Sequence, residues 1–177
     1  MKSIKEMDVK ELGAYICSHL QKYGIEITLT GGSCVTIYSQ NQYVSMDLDF
    51  VETYYTKRNE LKKHLKEIGF IEKNRYFKHP ETELFIEFPP GPLAVGEEAI
   101  KEIEIIKTAV GELRIISPTE CVKDRLASFY FWNDRQCLNQ AVMVAKHNKI
   151  NLSEVKRWST KEGETEKFNE FISLLDK

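Results

Sequence analysis

Two aspartates separated by a single residue, Asp47 and Asp49, lie within the otherwise apolar segment 46–51. Alternate residues of a β-strand point to the same side of a sheet, so the two carboxylates are expected to project together. Two acids on one side of an apolar strand are costly to bury unless a cation or water satisfies them. Because carboxylate oxygens are ligands that Mg²⁺ prefers, the pair predicts a divalent-metal site. The alternative is that both are ordinary surface acids at a strand end.

A third carboxylate, Glu87, lies between the apolar residues Ile86 and Phe88. Strand alternation predicts that Glu87 faces away from these two neighbours. Placed beside Asp47 and Asp49, it would complete a three-acid cluster able to hold two metals about 4 Å apart. The alternative is a solvent-facing glutamate on a strand that is exposed on one side.

The segment Gly31-Gly32-Ser33 separates an expected strand from an expected short helix. Glycine has no side chain, so a phosphate group can approach the backbone closely. The start of the following helix presents free N–H groups and the positive end of the helix dipole. Ser33 adds a hydroxyl donor, or serves only as a helix cap. The segment therefore predicts a phosphate-binding loop.

Hydrophobic periodicity and turn residues indicate an α/β (α+β) chain. The capping sequence Ser117-Pro118-Thr119-Glu120 begins a helical region that continues to the C-terminus. We expect a short mixed β-sheet with flanking helices as the core, 1–116, and a C-terminal helical part, 117–177, packed on it as one compact unit. Helices are predicted over 8–23, 33–39 and 57–68, and strands over 25–30, 46–51, 75–78, 84–88, 103–107 and 112–116.

Composition narrows the classes of function. The chain has 177 residues, a formal net charge of -2 and 42% hydrophobic residues, which argues against disorder and against tight, nonspecific binding of nucleic acid. No apolar run is long enough to span a membrane and no signal peptide is recognised. The four cysteines form no CxxC pair, so a zinc site is not expected and the thiols are predicted to be free in a cytoplasmic protein.

Charge is concentrated in the segment 57–78, which holds eight Lys/Arg residues against three glutamates. Such a segment is typical of a solvated helix face. Beside an active site it would instead form a landing surface for a polyanion, and this favours an RNA acceptor slightly.

The series Gly31-Gly32-Ser33, Ser45-x-Asp47-Leu48-Asp49-Phe50 and Ile86-Glu87-Phe88 resembles the nucleotidyltransferase superfamily typified by DNA polymerase β. It is most similar to the small bacterial branch that includes toxin nucleotidyltransferases of abortive-infection systems. The helix start at 117–120, Lys123 and the tail from Trp158 to Phe171 are also similar to that branch. The resemblance covers nearly the whole chain.

The resemblance implies transfer of a nucleoside monophosphate from an NTP to a hydroxyl group, with release of pyrophosphate and dependence on Mg²⁺ (or Mn²⁺). The acceptor is left open among RNA or tRNA, a protein and a small molecule. Asp47, Asp49 and Glu87 would be the catalytic metal ligands. The residues implied to bind the nucleotide and its phosphates are Gly31, Gly32, Ser33, Ser45 and Lys123.

Two other functions stay open for the same fold. In one, the domain is catalytically inactive and binds a nucleotide or serves as a toxin–antitoxin partner. In the other, it is a structural interaction module that uses its helical tail and binds no nucleotide. Fold alone does not decide among them.

Overall fold

The computed structural model describes residues 2–176, which form a mixed sheet with helices on both faces. A short 3₁₀ helix, Ile4–Glu6, precedes the first α-helix. The α-helices are α1 Val9–Gln21, α2 Gly31–Tyr38, α3 Arg58–Glu67, α4 Pro118–Trp132, α5 Arg135–His147, α6 Leu152–Lys161 and α7 Thr165–Leu175. The strands are β1 Ile27–Thr30, β2 Asp47–Glu52, β3 Ile71–Lys73, β4 Tyr76–Lys78, β5 Phe85–Glu87, β6 Ala94–Val95, β7 Glu98–Ala99, β8 Ile103–Thr108 and β9 Gly111–Ile116.

The main sheet has seven strands in the order β3-β4-β5-β2-β1-β9-β8. β1 runs antiparallel to β2, whereas β2 runs parallel to β5 and β1 parallel to β9. β6 and β7 form a separate two-stranded ribbon. The predicted fold class, a mixed sheet with flanking helices and further helices at the C-terminus, is confirmed.

One face of the sheet carries the apolar core. A Cβ atom built on Gly13 of α1 would lie 3.0 Å from Leu113 and 3.6 Å from Leu48, so α1 packs closely on this face. α3 lies against the same face, where Arg58 stands 4.5 Å from the ring centroid of Phe77. Leu48 and Phe77 are fully buried there. Strand alternation then turns Asp47 and Asp49 toward the opposite face.

The predicted phosphate loop is shorter than expected. α2 begins at Gly31, directly after β1, and not at Ser33. Gly31 has a φ of +71°, a conformation that glycine adopts readily, and it turns the chain from strand into helix without an intervening loop.

Three short strands were not predicted from the sequence. β3 is a three-residue edge strand whose Ile71 and Lys73 are exposed, so it has no buried apolar alternation to mark it. β6 and β7 are two residues each, too short for periodicity to indicate them.

The C-terminal helices begin where the capping sequence predicts. Ser117 accepts a hydrogen bond from the backbone N–H of Glu120 at 3.2 Å, with Pro118 at the first helical position. Trp158 of α6 is fully buried and stacks on Tyr130 of α4, with ring centroids 5.5 Å apart. α4 also packs against α2 and α5. None of the described helices has the length and apolar character needed to cross a membrane, and all four cysteines are buried and free.

Candidate active site

The three predicted carboxylates converge on one face of the sheet. Asp47 and Asp49 lie on β2, and Asp49 is the register partner of Glu87 on the parallel strand β5. One carboxylate oxygen from each of the three residues lies within 4.8 Å of the other two. All three side chains are partly buried. The pairing of β2 with β5 is therefore what brings Glu87 to the two aspartates.

Burial and nearby negative charge act together on the Asp49 carboxyl. Burial raises the pKa of Asp49 to about 7, and the nearby charges of Asp47 and Glu87 add to this rise. Arg125 acts in the opposite direction, lowering the pKa of the same carboxyl. A cation among the three carboxylates would relieve this crowding, since it favours the ionised form.

The two glycines allow α2 to start against this cluster. A Cβ atom on Gly31 would collide with the carboxylate of Asp49. A Cβ atom on Gly32 would lie 2.8 Å from the hydroxyl oxygen of Ser45. Larger side chains would thus separate the helix start from the acids, and glycine keeps the first N–H groups of α2 beside them.

The two predicted serines hold Asp47 in place. The hydroxyl of Ser33 donates to the backbone carbonyl of Asp47, and the hydroxyl of Ser45 donates to its carboxylate. Both serines are buried. Their hydroxyl hydrogens are therefore already engaged, and a direct contact of either with phosphate stays a prediction.

Lys123 lies elsewhere. It is fully buried on α4, with its ammonium 3.1 Å from Glu120 and 3.6 Å from Glu154. The residues that line the cleft beside Asp49 do not include it. The structure thus does not bring Lys123 together with the three acids, and its implied contact with nucleotide phosphates stays a prediction.

A cleft of about 260 Å³ opens beside Asp49. Arg125 lines it from α4, with its guanidinium 2.5 Å from the Asp124 carboxylate. From the sequence, Arg125 is expected to be a helix-surface residue with its stem packed on the core, as is Lys123 two residues before it. The lining residues are Thr30, Gly31, Asp49, Val51, Pro89, Pro90, Pro92, Leu93, Ala94, Val95, Ile100, Ile116, Asp124 and Arg125.

A second arginine stands at the outer side of the cluster. The Nε atom of Arg75 lies 3.1 Å from Oε1 of Glu87, and the arginine side chain is 70% exposed. Arg75 belongs to the basic segment 57–78, so part of that segment does lie beside the carboxylates. Only the register of β4 with β5, where Tyr76 pairs with Glu87, reveals this position.

The donor set suits a hard divalent cation. Three carboxylates with oxygens within 4.8 Å of one another offer the ligands that Mg²⁺ and Mn²⁺ accept. The adjacent helix start offers N–H donors to an anion. The arrangement is therefore able to hold a metal and a phosphate group side by side.

The chain matches no protein-family model and no curated protein sequence. Similar solved structures include the crystal structure of an antigenic nucleotidyltransferase-like protein from Paracoccidioides brasiliensis, with 12% identity and a TM-score of 0.58 over 77% of this chain and 74% of that chain. They also include the solution structure of the antibiotic-resistance factor ANT(2'')-Ia, with 14% identity and a TM-score of 0.42 over 88% of this chain and 95% of that chain. The likeness to the first of these shows that the chain has the nucleotidyltransferase fold.

Proposed function

We propose that the chain is a nucleotidyltransferase that moves a nucleoside monophosphate from an NTP to a hydroxyl group and releases pyrophosphate. The convergence of Asp47, Asp49 and Glu87 beside the start of α2 carries this proposal. The fold supports the class of reaction. A cytoplasmic location and a toxin–antitoxin partner stay predictions from the sequence.

The three carboxylates would hold Mg²⁺ or Mn²⁺. The bound cation would supply positive charge that stabilises the triphosphate and lowers the pKa of the acceptor hydroxyl. Ser45 and Ser33 would keep Asp47 in position, because both donate hydrogen bonds to it. Asp49 would lose its proton as the cation binds, since its pKa is raised by burial and neighbouring charge.

The phosphates would lie at the start of α2 and in the adjoining cleft. Helix α2 begins beside this space, where Thr30 and Gly31 line the cleft, and the Thr30 side chain does not cap its first N–H groups. Arg125 in the cleft wall offers guanidinium N–H donors, while its charge is shared with the adjacent Asp124 carboxylate. These donors would hold the triphosphate and favour departure of pyrophosphate.

The proposed transfer forms one bond and breaks one bond at the α-phosphorus. The acceptor oxygen forms a bond to the α-phosphorus, and the bond from that phosphorus to the bridging oxygen of pyrophosphate breaks. The hydroxyl proton passes to a carboxylate of the cluster or to water. Asp47, Asp49 and Glu87 would thus orient the reacting groups and share the charge that develops.

Calorimetric titration of the four NTPs with Mg²⁺ tests the proposal. We expect binding that requires Mg²⁺ and that is lost in an Asp47→Ala/Asp49→Ala variant. A Glu97→Ala/Glu166→Ala variant, which removes two exposed acids and the same charge, should bind like the wild type. Binding that survives loss of both aspartates would favour the inactive nucleotide-binding alternative. Failure of the folded wild type to bind any NTP would contradict the proposal.

A further inference from the structure

The face of the sheet that carries the three acids continues outward across β4 and β3. Tyr76 is the register partner of Glu87 on one side and of Lys73 on the other. Directly paired residues of neighbouring strands point to the same face. Glu87, Tyr76 and Lys73 therefore form a row that leads away from the carboxylate cluster.

A second row runs beside the first. Phe85 pairs with Asp47 on β2 and with Lys78 on β4, and Lys78 pairs with Ile71 on β3. These side chains also share the face of the carboxylates. The two rows place aromatic residues nearest to the acids and basic residues beyond them.

This outer face is open to solvent. Ile71 is 57% exposed, Lys73 and Lys78 are exposed, and Tyr76 and Phe85 are partly exposed. α3 packs instead on the opposite face, at Phe77.

The rings and cations of this face are already in contact. The guanidinium of Arg75 lies 4.9 Å from the ring centroid of Tyr76, and the ammonium of Lys78 lies 5.5 Å from that of Phe85. The two rings meet edge to face, with centroids 4.9 Å apart. Aromatic rings interleaved with basic groups are the pattern that binds single-stranded nucleic acid, through base stacking and phosphate contacts.

Only part of the basic segment 57–78 contributes. Arg58 and Lys62 both bind Glu72, at 2.8 Å each, on the face away from the acids. Lys73, Arg75 and Lys78 lie on or beside the face of the sheet that carries the three carboxylates. Their positive charge is opposite in sign to that of the carboxylate cluster. The charge therefore changes from negative at β2 and β5 to positive at β4 and β3.

We propose that this surface, the outer platform formed by Ile71, Lys73, Arg75, Tyr76, Lys78 and Phe85, binds single-stranded RNA and presents its 3′-terminal ribose to the carboxylate cluster. The role as acceptor rests on the proposed function. The platform is about 10 Å wide across its three strands, enough for a few nucleotides. Charge determines the direction in which the RNA lies on the platform, because its phosphates are repelled by Asp47, Asp49 and Glu87 and attracted by the lysines.

The carboxylate cluster also favours a free 3′ end of the RNA and favours ribose over deoxyribose. A terminal ribose brings two uncharged hydroxyl donors to the carboxylates, and the 2′-hydroxyl is absent from DNA. A 3′-phosphate would instead bring negative charge against the acids. The platform should therefore favour RNA with a free 3′-hydroxyl over matched DNA and over 3′-phosphorylated RNA.

Fluorescence anisotropy with a 5′-labelled single-stranded RNA, without NTP and with EDTA, tests the platform. We expect a Lys73→Ala/Lys78→Ala variant to bind about tenfold more weakly, with a smaller dependence on salt. Tyr76→Leu should also weaken binding about tenfold, because base stacking is lost while the charge is kept. Circular dichroism and thermal unfolding check that each variant is folded.

The matched control is Lys63→Ala/Lys66→Ala, which removes the same charge from exposed positions of the same basic segment on α3. It should bind within about twofold of the wild type, because surface charges away from the platform make only weak nonspecific contributions. Matched DNA and 3′-phosphorylated RNA should bind more weakly than RNA. Equal loss in both lysine variants, equal binding of DNA, or absence of RNA binding would overturn the inference.

Because this assay contains neither NTP nor metal, its result does not depend on whether the proposed function is correct. RNA binding without NTP binding would support the platform and contradict the transferase. NTP binding that needs Asp47 and Asp49, together with no RNA binding, would support the transferase and assign it another acceptor.

Discussion

The Nε atom of Arg75 lies 3.1 Å from Oε1 of Glu87, so a largely exposed cation shares the β5 carboxylate that the proposed metal would use. We expect Arg75→Ala to tighten Mn²⁺ binding, because the arginine no longer competes for Glu87. The effect should be about two- to fivefold at low salt and smaller at high salt, since the arginine is largely exposed. Electron paramagnetic resonance of free Mn²⁺ measures it.

Arg135→Ala is the control for that change. Arg135 pairs with Glu170 at 2.5 Å, on helices α5 and α7, and its removal alters the net charge equally. Mn²⁺ affinity should then stay near that of the wild type. An Arg75→Ala variant that binds Mn²⁺ no better than Arg135→Ala would show that the arginine does not compete with the metal.

Gly31→Ala should damage both the fold and metal binding. Its φ of +71° disfavours any residue with a Cβ atom, and that atom would also collide with the Asp49 carboxylate. Gly163→Ala separates the two effects, because Gly163 has a φ of +79° with no atom within 4 Å of its added Cβ. Gly163→Ala should cost about 1 kcal/mol of unfolding free energy, and Gly31→Ala clearly more.

Urea unfolding and Mn²⁺ titration of both glycine variants check this expectation. Only Gly31→Ala should lose metal affinity, because only there does the added atom touch a metal ligand. Equal destabilisation and equal metal affinity in the two variants would mean that the closeness of α2 to Asp49 is unimportant.

Metal affinity should depend on pH through Asp49. Its pKa of about 7 in the metal-free protein means that binding must displace a proton below that pH. We expect Mg²⁺ affinity to rise by up to about tenfold per pH unit from pH 5 to 7, and to level off above pH 7. Calorimetry in buffers of different ionisation enthalpy would count the released proton.

The same raised pKa has a consequence for stability. A carboxyl that folding makes harder to ionise lowers the free energy of unfolding as pH rises from its unfolded pKa of 3.8 toward about 7. Asp49→Asn should remove this loss, so its stability relative to the metal-free wild type should increase between pH 5 and pH 8. A difference between the two proteins that does not change with pH would contradict the assigned cause.

Lys123 lies in a buried ion pair, whereas the family resemblance implies that it contacts the nucleotide phosphates. Because its ammonium is fully buried 3.1 Å from Glu120, Lys123→Met should lower the free energy of unfolding by about 3–5 kcal/mol. Adding Glu120→Gln should restore part of this loss, since the unpaired buried charge is then removed. NTP affinity of the folded double variant should stay near that of the wild type. A large loss of NTP affinity in that variant would instead support the implied phosphate contact.

The sequence alone predicted the elements that depend on local pattern. Asp47 and Asp49 share a face because they are two residues apart on a strand, and the helix at Pro118 starts at a local capping sequence. The meeting of Glu87 with Asp49 was expected from resemblance, whereas its cause, the parallel register of β2 with β5, is a tertiary feature. Strand pairing of this kind is not encoded in any short segment.

Several side chains lie in surroundings that the sequence did not indicate, because tertiary packing determines their burial. The Ser33 hydroxyl is engaged with the Asp47 backbone, and Lys123 is enclosed by α6, neither of which periodicity reveals. Arg125 of α4 lines the same cleft as Asp49, a tertiary placement that no local pattern indicates. The basic segment 57–78 is one run of charge in the sequence, yet the fold divides it between two faces of the sheet. Helix α3 lies on the apolar face, whereas Lys73 of β3 and Lys78 of β4 share the face of the carboxylates.

The most direct test of the central claim is a crystal of the protein soaked with Mn²⁺ and a non-hydrolysable NTP, measured for anomalous scattering. We expect a Mn²⁺ peak bounded by the carboxylates of Asp47, Asp49 and Glu87, with the nucleotide phosphates at the start of α2. Density for the nucleotide at another place, or Mn²⁺ bound without contact to these three residues, would contradict it.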